Sequence, residues 1–369
     1  MKLSFIISAL ILFIGLTSTQ AQNDTSKSRM IDDLWVRGQY GKGFTFAHRG
    51  SLEPVVNHSI DHFVLEVGKK TNGNKPWQSL FNFPILGVGF YHSTLGNNQI
   101  LGKANALYGF VDVPYYSRKT INFLYKIGFG LSYIDKPFDI ENNIYNPAIG
   151  SHFNVFVHLS FDLEYLPANK LWAIKSGLGL THMSNGKTQT PNLGLNLMDW
   201  HLNFSYRFGE SKQEIRQSFP NRKKHLFLTV LAGGPKEFTN PGYGKYFAGN
   251  WTTEYEYSIK NKISLGIGYD FFYDGCAEQE LIWEGDNKAR QHALRSGLHL
   301  SYVFNYNKVG FIVQMGSYIS PYFNDDGYLY HRIGIRAKIT SNLLLNFTLK
   351  THWARADIVE FGLGYYFQK

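Results

Sequence analysis

From Trp35 onward, apolar and polar positions alternate in segments of about ten residues, the length of a tilted strand across a bilayer. Clusters of Asn, Gly, Asp, Lys and Pro, which read as turns, separate the segments. Before Phe208 the segments include His62–Lys69, Pro84–His92, Ala104–Tyr116, Asn122–Asp135, Phe153–Tyr165, Leu171–Ser184 and Leu195–Phe208. With one beginning near Trp35 they make about eight by the strand-length rule. In Leu195–Phe208, one row reads Asn196, Met198, Trp200, Leu202, Phe204, Tyr206 and Phe208. The other row carries Asp199, His201, Asn203 and Arg207. Soluble sandwiches also alternate, but a wall apolar on one side and charged on the other suits a barrel with lipid outside and a water-filled or hydrogen-bonded lumen inside.

After a polar, charged stretch over Gly209–His225, about eight further candidate strands follow by the same length rule, ending at Ile358–Phe367. The predicted class is all-β, an outer-membrane antiparallel barrel. Two architectures fit: an eight-stranded half (22–209) joined by 210–225 to a second β-rich half (226–369), or one barrel of about 14–16 strands.

The amino terminus sets the compartment. A short positive start, Met1-Lys2, precedes an apolar run from Leu3 to Leu16 and a small-residue site at Thr19-Gln20-Ala21. This is the order of a cleaved secretory signal peptide, 1–21. Aromatic content of 16% suits interfacial belts. The net charge of +9, in an exported chain with no nucleic-acid-binding motif, suits anionic lipid phosphates rather than nucleic acid. Cys276 is the single cysteine, so no internal disulfide can form; its Asp-Gly-Cys-Ala setting reads as a structural loop. The 13 histidines are scattered without ligand spacing, so neither a metal nor a cofactor is expected. Asn324-Asp325-Asp326-Gly327 reads as a turn.

Candidate chemistry lies at the end of Leu171–Ser184. Alternation places Trp172, Ile174, Ser176, Leu178, Leu180, His182 and Ser184 on the lipid-facing row. An imidazole and a hydroxyl two residues apart then lie side by side, as a general base and a serine nucleophile must. The same two residue types at a strand end are often mere solvated neighbours. In Leu343–Trp353 the rule sends His352 to the opposite face with no nucleophile two residues on, so no second active site is expected there.

Thr181-His182-Met183-Ser184-Asn185-Gly186, followed by Pro191-Asn192-Leu193-Gly194-Leu195-Asn196 and a strand ending Ser205-Tyr206-Arg207-Phe208, resembles the PagL-type lipid A deacylase family, also called acyloxyacyl hydrolases. Lys75-Pro76-Trp77, Leu101-Gly102 and Ile149-Gly150-Ser151-His152-Phe153-Asn154 are similar to its Bacteroidetes branch. The resemblance spans about Trp35 to Phe208, one family barrel of eight strands, and leaves 226–369 without a role. It implies a barrel whose active site faces the outer leaflet and removes an ester-linked acyl chain from lipid A. It also implies His182 as general base and Ser184 as nucleophile, with Asn185 and the Gly186 N–H as candidate oxyanion donors. The family's acidic residue should fall early on the last strand, on the face of the pair, where this chain has Asn196. Asp199 is the alternative, although alternation turns it into the lumen. The competing functions are a non-enzymatic barrel (a channel or adhesin) and a phospholipase with the same pair.

Overall fold

The computed structural model describes residues 29–219, 222–238, 242–319, 327–352 and 355–367. The expected signal peptide and part of the Asn324–Gly327 turn lie outside the described residues. Sixteen strands form two closed antiparallel barrels of eight, not one larger barrel. The first comprises β1 (Leu34–Thr45), β2 (Ser59–Lys70), β3 (Ile85–Thr94), β4 (Lys103–Arg118), β5 (Ile121–Ile134), β6 (Phe153–Tyr165), β7 (Trp172–Ser184) and β8 (Leu195–Phe208). The second comprises β9 (His225–Glu237), β10 (Lys245–Lys260), β11 (Ile263–Asp274), β12 (Leu294–Tyr306), β13 (Val309–Tyr318), β14 (Leu329–Lys338), β15 (Leu343–His352) and β16 (Arg355–Phe367). Each closes by pairing its first strand with its last, β1 with β8 and β9 with β16. Closure leaves no edge strand, so a backbone surrounded by hydrocarbon is fully paired.

Alternation holds along most of the two walls and is shifted by one residue at the bulges of β4 and β16. Along β8, Met198, Trp200, Leu202, Phe204, Tyr206 and Phe208 are exposed on the outer wall, while Asp199, His201, Asn203, Ser205 and Arg207 are buried inside. Eight strands leave an interior just wide enough for side chains to fill, so inward charges must neutralise one another. In the first barrel Asp112 accepts from Arg37 (2.8 Å) and Lys175 (2.5 Å). Glu66 accepts from Lys126 (2.6 Å) and the Tyr108 hydroxyl (2.7 Å). The second barrel repeats the device with other residues: Arg336 on Glu254 (2.8 Å), Arg332 on Glu360 (2.8 Å), and Lys236 between Asp274 and Asp357 (2.6 Å each). His352 faces this second interior, 2.9 Å from the Tyr318 hydroxyl.

The barrels stand side by side. Short helix α1 (Pro76–Leu80), in the 71–84 connection, places Trp77 and Phe81 against Tyr306, with ring centroids 5.1 and 4.3 Å apart. Higher on the wall, Phe129 meets Phe347 edge-on at 5.4 Å. No described helix is long and apolar enough to cross a membrane.

Two short helices lie in the 275–293 connection, α2 (Gly275–Trp283) and α3 (Ala289–His292). Cys276, expected in a loop, is therefore helical. The Asp274 carboxylate accepts from the Cys276 and Ala277 N–H groups and starts α2 as its cap. Burial pushes the Cys276 thiol up to about 12, which leaves almost no thiolate at neutral pH. The folded protein should therefore resist maleimide labelling at pH 8, with reaction only after denaturation, as read by intact mass. Replacing Glu66 by alanine leaves the buried Lys126 without its carboxylate, and denaturant unfolding in detergent should read a loss of about 3–5 kcal/mol.

Candidate active site

The site is built by three neighbouring strands at one end of the first barrel. On β7, His182 and Ser184 stand two residues apart on the outer wall, as alternation requires. The β7–β8 register sets Asn196 directly opposite His182, close enough for facing side chains to bond. The His182 Nδ1 lies 2.7 Å from Asn196 Oδ1, and its Nε2 lies 3.1 Å from Ser184 Oγ. Asp199, the alternative partner, points into the lumen and bonds His201 at 2.7 Å.

A fourth residue completes the line. His48 follows β1, which barrel closure sets beside β8, and its Nδ1 lies 3.1 Å from Asn196 Nδ2. Its Nε2 is 3.1 Å from the Leu193 carbonyl. The Phe46 carbonyl lies farther off, 3.4 Å from Nδ1, so the shorter bond takes the ring proton: Nε2 donates to Leu193 and Nδ1 accepts from the Asn196 amide. The amide oxygen then faces His182, whose Nδ1 carries the proton and whose Nε2 is free to accept from Ser184. Every bond in the row points one way. Sequence reading missed His48, yet the outer row of β1, through Phe44 and Phe46, continues to it.

The connection 185–194 folds back over the pair. At Gly194 (φ +78°) a side chain would stand 3.1 Å from His182 Cε1 and 3.4 Å from Ser184 Cβ, and Ser184 is 4% exposed. Asn185 spends both amide hydrogens bracing this loop, on Ser151 Oγ (2.9 Å) and the Gln189 carbonyl (2.8 Å). Its backbone N–H donates to Asn192 Oδ1 (3.1 Å). Gly186, next to it, adopts φ +62°, a conformation that favours glycine. Below the pair, Leu178, Leu180, Met198 and Trp200 leave an exposed apolar wall.

Among the described residues, folding gathers one set with metal-ligand potential that sequence spacing did not suggest: His62, Asp199 and His201, buried in the first lumen. There His201 is held between Asp199 and Asp162, 2.7 Å from each. Both ring nitrogens of His201 are thereby taken up by carboxylates. In the second barrel His299 sits similarly, 2.7 Å from Asp270 and 3.5 Å from Glu254.

Residues 61–207 match the family model described as lipid A 3-O-deacylase (PagL), and residues 225–369 match that of the acyloxyacyl hydrolase C-terminal domain. The chain belongs to the PagL-type lipid A deacylase family. Membership makes it an ester hydrolase of the outer membrane and gives the second barrel a family counterpart. Among solved structures, the outer-membrane enzyme PagL is 15% identical over 47% of this chain and 99% of its own, with a TM-score of 0.31. The N-terminal barrel of Pseudomonas aeruginosa OprF is 9% identical over 47% and 98%, with a TM-score of 0.28. A Rh. blastica porin mutant is 8% identical over 90% and 99%, with a TM-score of 0.18. Likeness at these levels adds nothing to the family match. No curated protein matches the chain.

The direction of the row can be read by nitrogen NMR. In the folded protein His182 should be a single tautomer, protonated at Nδ1. Replacing His48 by phenylalanine removes the acceptor for Asn196 Nδ2, and mixed His182 tautomers are expected.

Proposed function

We propose that this deacylase removes an ester-linked acyl chain from lipid A in the outer leaflet by serine–histidine catalysis, after export by a signal peptide, 1–21. The reading is carried by the directed row from His48 through Asn196 and His182 to Ser184, opening on an apolar wall. Ser184 Oγ attacks the ester carbonyl carbon while His182 Nε2 takes the hydroxyl proton. The carbonyl oxygen becomes an oxyanion, for which the Gly186 N–H is the donor best placed by sequence; Asn185 contributes by bracing the loop that presents it. Collapse breaks the bond to the sugar oxygen, and His182 returns its proton to that oxygen. Water, activated by the same imidazole, then cleaves the acyl-serine and releases the fatty acid. Asn196 orients the imidazole as an amide does in Cys-His-Asn sites, with His48 fixing which end of the amide faces His182.

The expected orientation puts the long connections 46–58, 95–102, 135–152 and 185–194 outside, all at the end of the barrel that carries Ser184. The linker between the barrels lies at the opposite, periplasmic end. The apolar surface below the site is where acyl chains would lie, and the excess of cationic side chains suits the lipid phosphates.

The test is lipid A mass spectrometry from outer membranes carrying the wild type, Ser184→Ala or His182→Ala. Loss of one acyl chain with the wild type alone is expected; identical lipid A in all three would refute the reading. Cleavage of glycerophospholipid and not lipid A would favour a phospholipase. Asn196→Ala should lower kcat by about 10²–10³-fold, whereas Asp199→Asn, on the lumen side, should leave kcat within about threefold if the barrel folds.

A further inference from the structure

The second barrel touches the loop that follows the serine. Thr190 donates to the Glu237 carboxylate of β9 twice, from its backbone N–H (2.5 Å) and from Oγ1 (3.2 Å). The Glu237 N–H donates back to the Lys187 carbonyl at 3.1 Å. Gly186 lies so close to β16 that an added Cβ would come within 1.9 Å of Val359 Cγ2. Thus the segment 186–190, which begins two residues after Ser184, is pinned at both ends by residues of the other barrel. Glu237 and Thr190 are both buried, where a bond to a carboxylate is stronger than at a wet surface.

We propose that the second barrel is a positioning scaffold for catalysis, with Glu237 clamping the 185–194 loop so that the Gly186 N–H stays aimed beside Ser184. This deepens the reading above and rests on it for its catalytic part, while the clamp itself can be measured without activity. Its logic is that of a preorganised site, in which a shift of about 1 Å in a supporting group costs about 10²-fold in rate. It also gives residues 226–369 a reason to accompany the first barrel.

The experiment compares the full-length wild type, Glu237→Ala and Glu237→Gln in detergent micelles. Amide hydrogen exchange is read at Thr190, together with kcat and KM on purified lipid A. In Glu237→Ala, exchange at Thr190 should rise at least tenfold and kcat should fall about tenfold or more at unchanged KM. Glu237→Gln keeps an acceptor oxygen and should restore most of both. Unaltered exchange in Glu237→Ala would overturn the clamp. Raised exchange with an unaltered kcat would overturn its catalytic role. Should Glu237→Ala fail to fold, Thr190→Val, which removes the second donor alone, is expected to shift exchange and kcat in the same directions by smaller factors. A wild type as inert as Ser184→Ala would sink the hydrolase mechanism, and exchange at Thr190 would still decide the clamp.

Discussion

Two-residue alternation around a closed barrel is the constraint on which everything else here depends. Closure satisfies the backbone, and alternation then assigns each side chain to lipid or lumen with no intermediate choice. Charges sent inward must find partners in a space only side chains can fill, which gives the Arg37–Asp112–Lys175 and Glu66–Lys126 groups. The same rule, applied to β7 and β8, sends His182, Ser184 and Asn196 outward. The proposed site on the outer wall is thus a local exception to an apolar surface, supported from the next two strands on one side, by Asn196 of β8 and His48 beyond β1.

An amide at the acidic position changes what that support must do. A carboxylate presents acceptors in every orientation, whereas an amide presents an oxygen on one side and hydrogens on the other. His48 resolves the choice by taking the hydrogens. The row loses the charge that would steady an imidazolium and keeps the tautomer, the part whose loss is most damaging in related triads.

Much of this was legible in the sequence because a period of two is simple to read. The boundaries of β6 and β8 coincide with those expected, and the rows of β7 fall as alternation predicts. The His182–Asn196 contact was legible in part, because alternation put both residues on the outer face and the family resemblance set Asn196 early on the last strand, with Asp199 as the alternative. His48 was not, because only the β1–β8 closure, between residues far apart in the chain, brings it near. One barrel or two was equally illegible: local alternation is the same in both, and the choice is made by which strands pair at the ends. The lumenal histidine groups were hidden for the same reason, each drawing on several strands. The short helix at Cys276 was missed because its start is set by one capping carboxylate in a segment otherwise composed like a turn.

Each barrel has an even number of strands, so each returns the chain to the side it entered. The end of β8 and the start of β9 therefore lie on one side. A protein of this construction can grow in whole barrels, each self-sufficient in its backbone pairing, without any existing strand being displaced. Evolution can then append a complete wall beside an old one and improve the contact between them afterwards, residue by residue.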